Sequence, residues 1–205
     1  MSDRGSRWDE VYRSKGADTV SWYQARPVMS LALIEHAGVV KGAPVIDVGG
    51  GASSLVDHLL HEGYADLAVM DLSDSALATS RERLAERASQ VDWIAGDVLA
   101  FAPLKRYALW HDRAVFHFLV KADDRRRYLE ALHRASQVGT QVVMATFAED
   151  GPERCSGLPV ARYRAAELHA AFGADYELVE STRETHRTPG GAEQHFTWVR
   201  MRRVR

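Results

Sequence analysis

Pro44-Val45-Ile46-Asp47-Val48-Gly49-Gly50-Gly51-Ala52-Ser53 is the stretch that decides how the rest of the chain is read. A short apolar run closed by three glycines fits a strand buried on both faces, since a half-exposed strand would alternate apolar and polar residues. Leu55, Val56, Leu59 and Leu60 follow at helical spacing, and Gly63 supplies the stop. A glycine turn between strand and helix lets the backbone approach a ligand and offers it free N–H groups. An anionic group is expected there, either a phosphate or an amino-acid carboxylate.

Outward from this unit the alternation repeats. Residues 67–70, 91–95, 107–110 and 141–147 read as strands, with helices at 75–88 and 123–135 between them. Before it, Trp8, Val11 and Tyr12 recur at helical spacing, and Met29, Leu31, Leu33 and Ile34 predict a second helix between Pro27 and Gly38. After it, residues 163–172 look helical, and two β-rich runs, 176–185 and 194–204, flank the turn Pro189-Gly190-Gly191. The expectation is an α/β fold: a doubly wound, mainly parallel seven-stranded sheet ending in an antiparallel hairpin. One domain over 1–205 accommodates it, with a helical cap at 1–40 and the core at 43–205.

Bulk composition narrows the function. The 205 residues are 46% hydrophobic, enough for a continuous core, and Lys+Arg 26 against Asp+Glu 28 gives a net charge of -2. No global positive field exists to hold a nucleic acid. No run approaches the roughly 18 apolar residues of a membrane span, and Met1-Ser2-Asp3-Arg4 leads into charged residues, unlike a secretory signal. A cytoplasmic protein without membrane partners is expected. The one cysteine, Cys155, cannot form an internal disulfide.

The glycine spacing separates the two anion readings. A dinucleotide fingerprint needs a third spaced glycine where this chain has Ser54. Asp47, two residues before Gly49, suits an amino-bearing ligand better than a pyrophosphate. Asp71 follows about 20 residues after the turn, where an acid grips ribose hydroxyls, and Asp97 ends the third strand on the same edge of the sheet.

Taken together, "VIDVGGGAS", "VMDLS" and "AGDV" resemble the first three motifs of class I methyltransferases, a Rossmann-like family, over nearly the full chain. The resemblance implies S-adenosylmethionine as cofactor. It places Asp47, Gly49, Gly50 and Gly51 around the methionine end, Asp71 and Leu72 at the ribose, and Asp97 and Val98 at the adenine. Ser53 departs from the pattern, since many members carry another glycine there.

The fourth strand continues into "YALWHDRAVFHFL", which with "DRRRYLEAL" is similar to thiopurine and thiol methyltransferases. Trp8, Tyr12 and "SWY" at 21–23 resemble both that group and the seven-strand protein-lysine methyltransferases. The resemblance implies that Trp8, Tyr12 and Trp22 cover the cofactor, where their rings would face a sulfonium. Core packing explains these rings equally well. His111, Asp112, Arg113 and His117 are the catalytic candidates: Arg113 to favour an anionic acceptor, His111 or His117 to accept a proton. Against this, Asp112 can cap the next short helix and Arg113 can pair with a carboxylate.

A small soft nucleophile, a thiol or related chalcogen compound, is the preferred acceptor. A protein amine steered by Asp112 is the alternative, and a cofactor-binding module without turnover is the third reading. Cys155 and Tyr163 follow the fifth strand and stand where acceptor loops gather. His58 and His61 lack a further ligand at metal spacing, so no metal is expected. Arg125, Arg126 and Arg127 read as a solvated helix start, and Arg200, Arg202 and Arg203 as the solvent face of the last strand.

Overall fold

The computed structural model describes residues 3–14, 16 and 18–205. In chain order its elements are α1 (Asp3–Ser14), α2 (Val28–His36), β1 (Val45–Val48), α3 (Leu55–His61), β2 (Leu67–Asp71), α4 (Asp74–Leu84), β3 (Val91–Ala95), β4 (Leu109–Arg113) and α5 (Ala122–Ala135). Then follow β5 (Gln141–Phe147), β6 (Arg154–Cys155), β7 (Leu158–Pro159), α6 (Ala165–Phe172), β8 (Tyr176–Arg187) and β9 (Glu193–Arg203).

All four residues of β1 and all seven of β5 are buried, which is why neither shows an alternating pattern. The sheet has seven strands in the order β3-β2-β1-β4-β5-β9-β8. The five strands from β3 to β5 pair in parallel, while β9 runs antiparallel to both β5 and β8. This is the expected Rossmann-like arrangement. The order turns back between β1 and β4, and the crevice outside the carboxyl ends of strands at such a switch is where α/β sheets bind ligands.

Each face of the sheet carries its own core. Ile46, Val48, Met70, Trp110 and Met144 pack with Tyr128 and Leu132 of α5 and Leu168 of α6. Val45, Val69, Leu109 and Val143 pack on the other face with Leu31, Leu55, Leu59 and Leu77 from α2, α3 and α4. The alternation of odd and even residues between faces sends Asp47, His111 and Arg113 to one side and Asp112 to the other.

Several boundaries depart from the expectation. β4 begins two residues late and runs on to Arg113, because Tyr107 N–H bonds to Ala135 O at the end of α5 while Asp112 sits in register between Val48 and Met144. α4 stops at Leu84, Ala85 takes φ 52, and a 3-10 segment follows to Gln90. Trp93 Nε1 donates to Ala88 O at 2.9 Å and draws that segment onto β3. The β6–β7 hairpin was not anticipated; Ser156 (φ 47) and Gly157 (φ 76) form its turn, the positive pair that two-residue hairpins use.

Arg203 also departs: it is buried, not on a solvent face. Its Nη1 donates to His133 O and Ser136 O, both at 2.8 Å, and so satisfies carbonyls left free at the end of α5. Among the described residues, no helix is long and apolar enough to cross a membrane.

Candidate active site

The turn after β1 is held to β2: Gly49 and Gly50 N–H donate to Met70 O at 2.7 and 3.2 Å. Gly49 takes φ 72, and a β-carbon there would strike the Val115 side chain. At Gly51 it would lie 2.8 Å from Asp71 Oδ2 and 3.2 Å from Tyr12 Oη. The turn thus lies against Asp71 and under the α1 ring. Ser53 Oγ accepts from Leu55 N–H at 3.1 Å, and Ser54 Oγ donates to Gln24 O at 2.9 Å. Those serines fasten the turn to the start of α3 and to the segment before α2.

Asp47 is buried beside His111 on the neighbouring strand. His111 Nδ1 meets Asp47 Oδ1 at 2.7 Å, and His111 Nε2 meets Ser30 Oγ at 3.0 Å. Both imidazole nitrogens are therefore used inside the protein. His111 borders, with Asp47, Gly49, Gly50 and Arg113, a small pocket of about 50 Å³.

A larger cleft of about 430 Å³ lies along the carboxyl edge of the sheet. Asp71, Leu72, Asp97 and Val98 border it over β2 and β3. Asp71 Oδ1 accepts from Ser73 N–H at 2.8 Å, yet burial, with Asp47 and Asp9 nearby, pushes its carboxyl up to about 7. Asp97 Oδ1 accepts from Leu99 N–H at 2.9 Å, which makes it a cap as well as a cleft residue.

α1 crosses the mouth. Asp9 Oδ1 accepts from Ser73 Oγ at 2.6 Å and Ser75 Oγ at 2.8 Å, while Arg7 Nη2 donates to Ser156 O at 2.8 Å on the β6–β7 turn. Between these anchors, Trp8 stands edge-on to Trp22 and Phe118, and Trp22 Nε1 donates to Tyr12 Oη at 3.3 Å. All three predicted cover aromatics border the cleft.

Over β4, β5 and β9 the wall is apolar: Ala114, Phe118, Phe147, Leu158 and Phe196, with Cys155 among them. Burial pushes the Cys155 thiol up to about 11, although the Arg113 charge acts in the opposite direction. Arg113 of β4 puts a basic group on this wall. Its Nη1 donates to Trp22 O at 3.0 Å and its guanidinium stacks 4.7 Å over Phe196. Its Nε and Nη2 are closed off from solvent with no hydrogen-bond partner.

Asp112 and His117 border neither the cleft nor the small pocket. Asp112 is fully buried on the opposite face, where it accepts from Val115 N–H at 2.8 Å, Phe116 N–H at 3.1 Å and Tyr128 Oη at 2.5 Å. It caps the turn Phe116–Phe118, the structural alternative raised above, and burial pushes its carboxyl up to about 6. His117 is fully buried against Phe118 and Phe147, and burial, aided by the Arg113 charge, takes its imidazole down to about 3. Tyr163 packs on Phe116 in the core and does not border the cleft. Conversely, the sequence reading did not single out Phe147, Gln194 or Phe196. The strand-edge rule reaches Phe147, the last residue of β5, but the Phe147–Phe196 register belongs to the hairpin's return and has no local signal.

Residues 45–139 match the family model for a methyltransferase domain. The matched stretch runs from β1 through α5 and marks this part of the chain as a methyltransferase domain. It is 22% identical over 149 residues to the bovine (Bos taurus) eEF1A lysine and N-terminal methyltransferase, covering 69% of this chain and 21% of that one. It is 37% identical over 72 residues to the ubiquinone/menaquinone biosynthesis C-methyltransferase of Roseobacter denitrificans, covering 34% of this chain and 29% of that one. The chain thus spans less than a third of the length of either curated relative. A solved structure described under the conversion of a disulfide bond into a thioacetal group during echinomycin biosynthesis superposes with a TM-score of 0.79 at 22% identity, covering 98% of this chain and 93% of that one. That likeness carries the fold alone.

The residues present fit the domain's cofactor. Gly49 brings the backbone of the turn to the cleft at a position where no side chain fits, and Asp71 nearby offers an acceptor for hydroxyl groups.

Proposed function

We propose that the protein transfers the methyl group of S-adenosylmethionine to a small soft nucleophile, a thiol or related chalcogen compound. The observation that carries this reading is one cleft running from the Asp71 and Asp97 carboxylates over β2 and β3 to the apolar wall over β5 and β9, with Arg113 of β4 between. When bound, the cofactor supplies a methyl group on a positively charged sulfur, open to in-line displacement.

In this reading Gly49, Gly50, Gly51 and Asp47 hold the methionine end, Asp71 and Leu72 the ribose, and Asp97 and Val98 the adenine. Trp8, Tyr12 and Trp22 close the cleft, exclude water and present ring faces to positive charge. Phe147 and Phe196 seat the apolar body of the acceptor, and Arg113 favours its anionic form. Alignment does most of the work, because displacement at a methyl carbon needs little acid–base machinery.

That the three candidate bases are engaged or lie away from the cleft favours sulfur over nitrogen. His111 is bonded on both nitrogens, and His117 and Asp112 do not border the cleft. A thiol, with a reference pKa of about 8.5, loses its proton to water, whereas an amine near 10.4 needs help. The lysine methyltransferase relative keeps a protein amine as the second reading, although Asp112, its acidic candidate, faces the opposite core.

Labelled cofactor with a panel of thiols, amines and protein fractions tests the assignment. Transfer to thiols is expected. Transfer only to protein lysine overturns the sulfur reading, and tight cofactor binding without product from any extract makes the protein a non-catalytic binding module.

A further inference from the structure

We propose that the Nε/Nη2 edge of Arg113 is a carboxylate subsite where the cofactor cleft meets the acceptor space, an inference that rests on the methyltransferase reading above. Nη1 is committed to Trp22 O, and the ring of Phe196 fixes the guanidinium plane. What remains is the side-on edge, whose Nε–H and Nη2–H are both without a partner. These two bonds run parallel and match the two oxygens of one carboxylate. A thiolate sulfur, a single large acceptor, would leave one of them unmet.

The protein does not satisfy the edge itself. Glu184 and Asp47 are the acids whose charge reaches Arg113. Both oxygens of Glu184 are engaged, by Gln24 Nε2 and Trp198 Nε1 at 2.8 Å each, and Asp47 is bonded to His111. Two charged donors left buried and unbonded carry an uncompensated desolvation cost, so a ligand that supplies both acceptors gains about tenfold or more in affinity.

Two carboxylates are candidates for this place. Arg113 borders both the main cleft and the small pocket that holds Asp47, Gly49 and Gly50. The carboxylate therefore belongs either to the methionine end of the cofactor or to an acceptor that is itself an acid.

Calorimetry on wild type, Arg113→Lys and Arg113→Met separates the sources. S-adenosylhomocysteine carries the carboxylate, and 5′-methylthioadenosine lacks the amino-acid end. A loss of tenfold or more in affinity for the first, with the second unchanged, assigns the subsite to the cofactor. Unchanged binding of both, together with loss of a wild-type preference for methylating 3-mercaptopropionate over 1-propanethiol, assigns it to the acceptor.

Arg113→Lys keeps the charge and loses the fork, so it decides the matter if the Met variant misfolds. Variants that match wild type on every probe overturn the subsite while leaving the methyltransferase reading intact. A wild-type protein that binds neither nucleoside overturns that reading, and the subsite with it.

Discussion

Asp47 and His111 stand side by side on β1 and β4, their Oδ1 and Nδ1 atoms 2.7 Å apart and both side chains buried. His111 is tied in turn to Ser30 of α2, so a chain of three side chains fixes the carboxylate beneath the glycine turn. In the proposed function this makes His111 a positioning residue for the amino-acid end of the cofactor, acting through Asp47.

Replacing His111 with Ala should therefore weaken S-adenosylhomocysteine binding about tenfold, the cost of a buried carboxylate that has lost its partner. Binding of 5′-methylthioadenosine should change much less. Calorimetry reads both, and circular dichroism checks that the fold persists. Equal losses for the two nucleosides would assign His111 to general packing instead.

Asp112 should behave in the opposite way. Asp112→Ala strands the N–H groups of Val115 and Phe116 and the Tyr128 hydroxyl, and is expected to cost about 3 kcal/mol of stability. Tyr128→Phe removes one of those bonds and should cost about 1 kcal/mol. Denaturant unfolding measures both. If Asp112→Ala folds fully yet cannot transfer methyl groups, the capping assignment fails.

The sheet was legible because β1, β2 and β3 are short, largely apolar runs that end in glycine or aspartate at one edge. Asp97 was found by that edge, Asp71 by the edge and by its distance from the glycine turn, and both border the cleft. His111 and Asp112 were harder. Adjacent residues on a strand face opposite sides, so His-Asp-Arg cannot all reach one site, yet their string of polar types suggests that they do. β4 also ran to Arg113 instead of stopping at Trp110, which put the whole triplet inside the sheet. Arg203 was misread for a related reason: its partner is the end of α5, some 70 residues earlier, and nothing local announces it.

Gly49 offers a test of the turn itself. Its φ of 72 and the crowding of Val115 leave no room for a side chain. Gly49→Ala should cost at least about 2 kcal/mol, from left-handed backbone strain plus overpacking. It should also abolish measurable binding of S-adenosylhomocysteine. A variant that binds the nucleoside normally would show that the turn does not approach it closely.

Asp71 makes the site sensitive to pH in a definite direction. Burial, reinforced by Asp47 and Asp9, lifts its carboxyl from the usual 3.8 to about 7, so the cofactor-free protein holds a proton there that the unfolded chain has lost. Stability contributed by this group is therefore present below about pH 4 and fades as pH climbs to 7. Asp112, also raised, acts in the same sense, and His117, lowered by burial, acts in the other. The change in melting temperature between pH 5 and 8, compared in wild type and Asp71→Asn, isolates the Asp71 share; the downward component should be smaller in the variant. Ribose hydroxyls need the ionised carboxylate as acceptor, so binding must expel the proton. Affinity for S-adenosylhomocysteine should then fall about tenfold per pH unit below 7, with proton release visible as a buffer-dependent heat. Asp71→Asn should bind more weakly and lose that slope. A wild-type affinity that is flat from pH 5.5 to 8 would mean that Asp71 does not change protonation when the nucleoside binds.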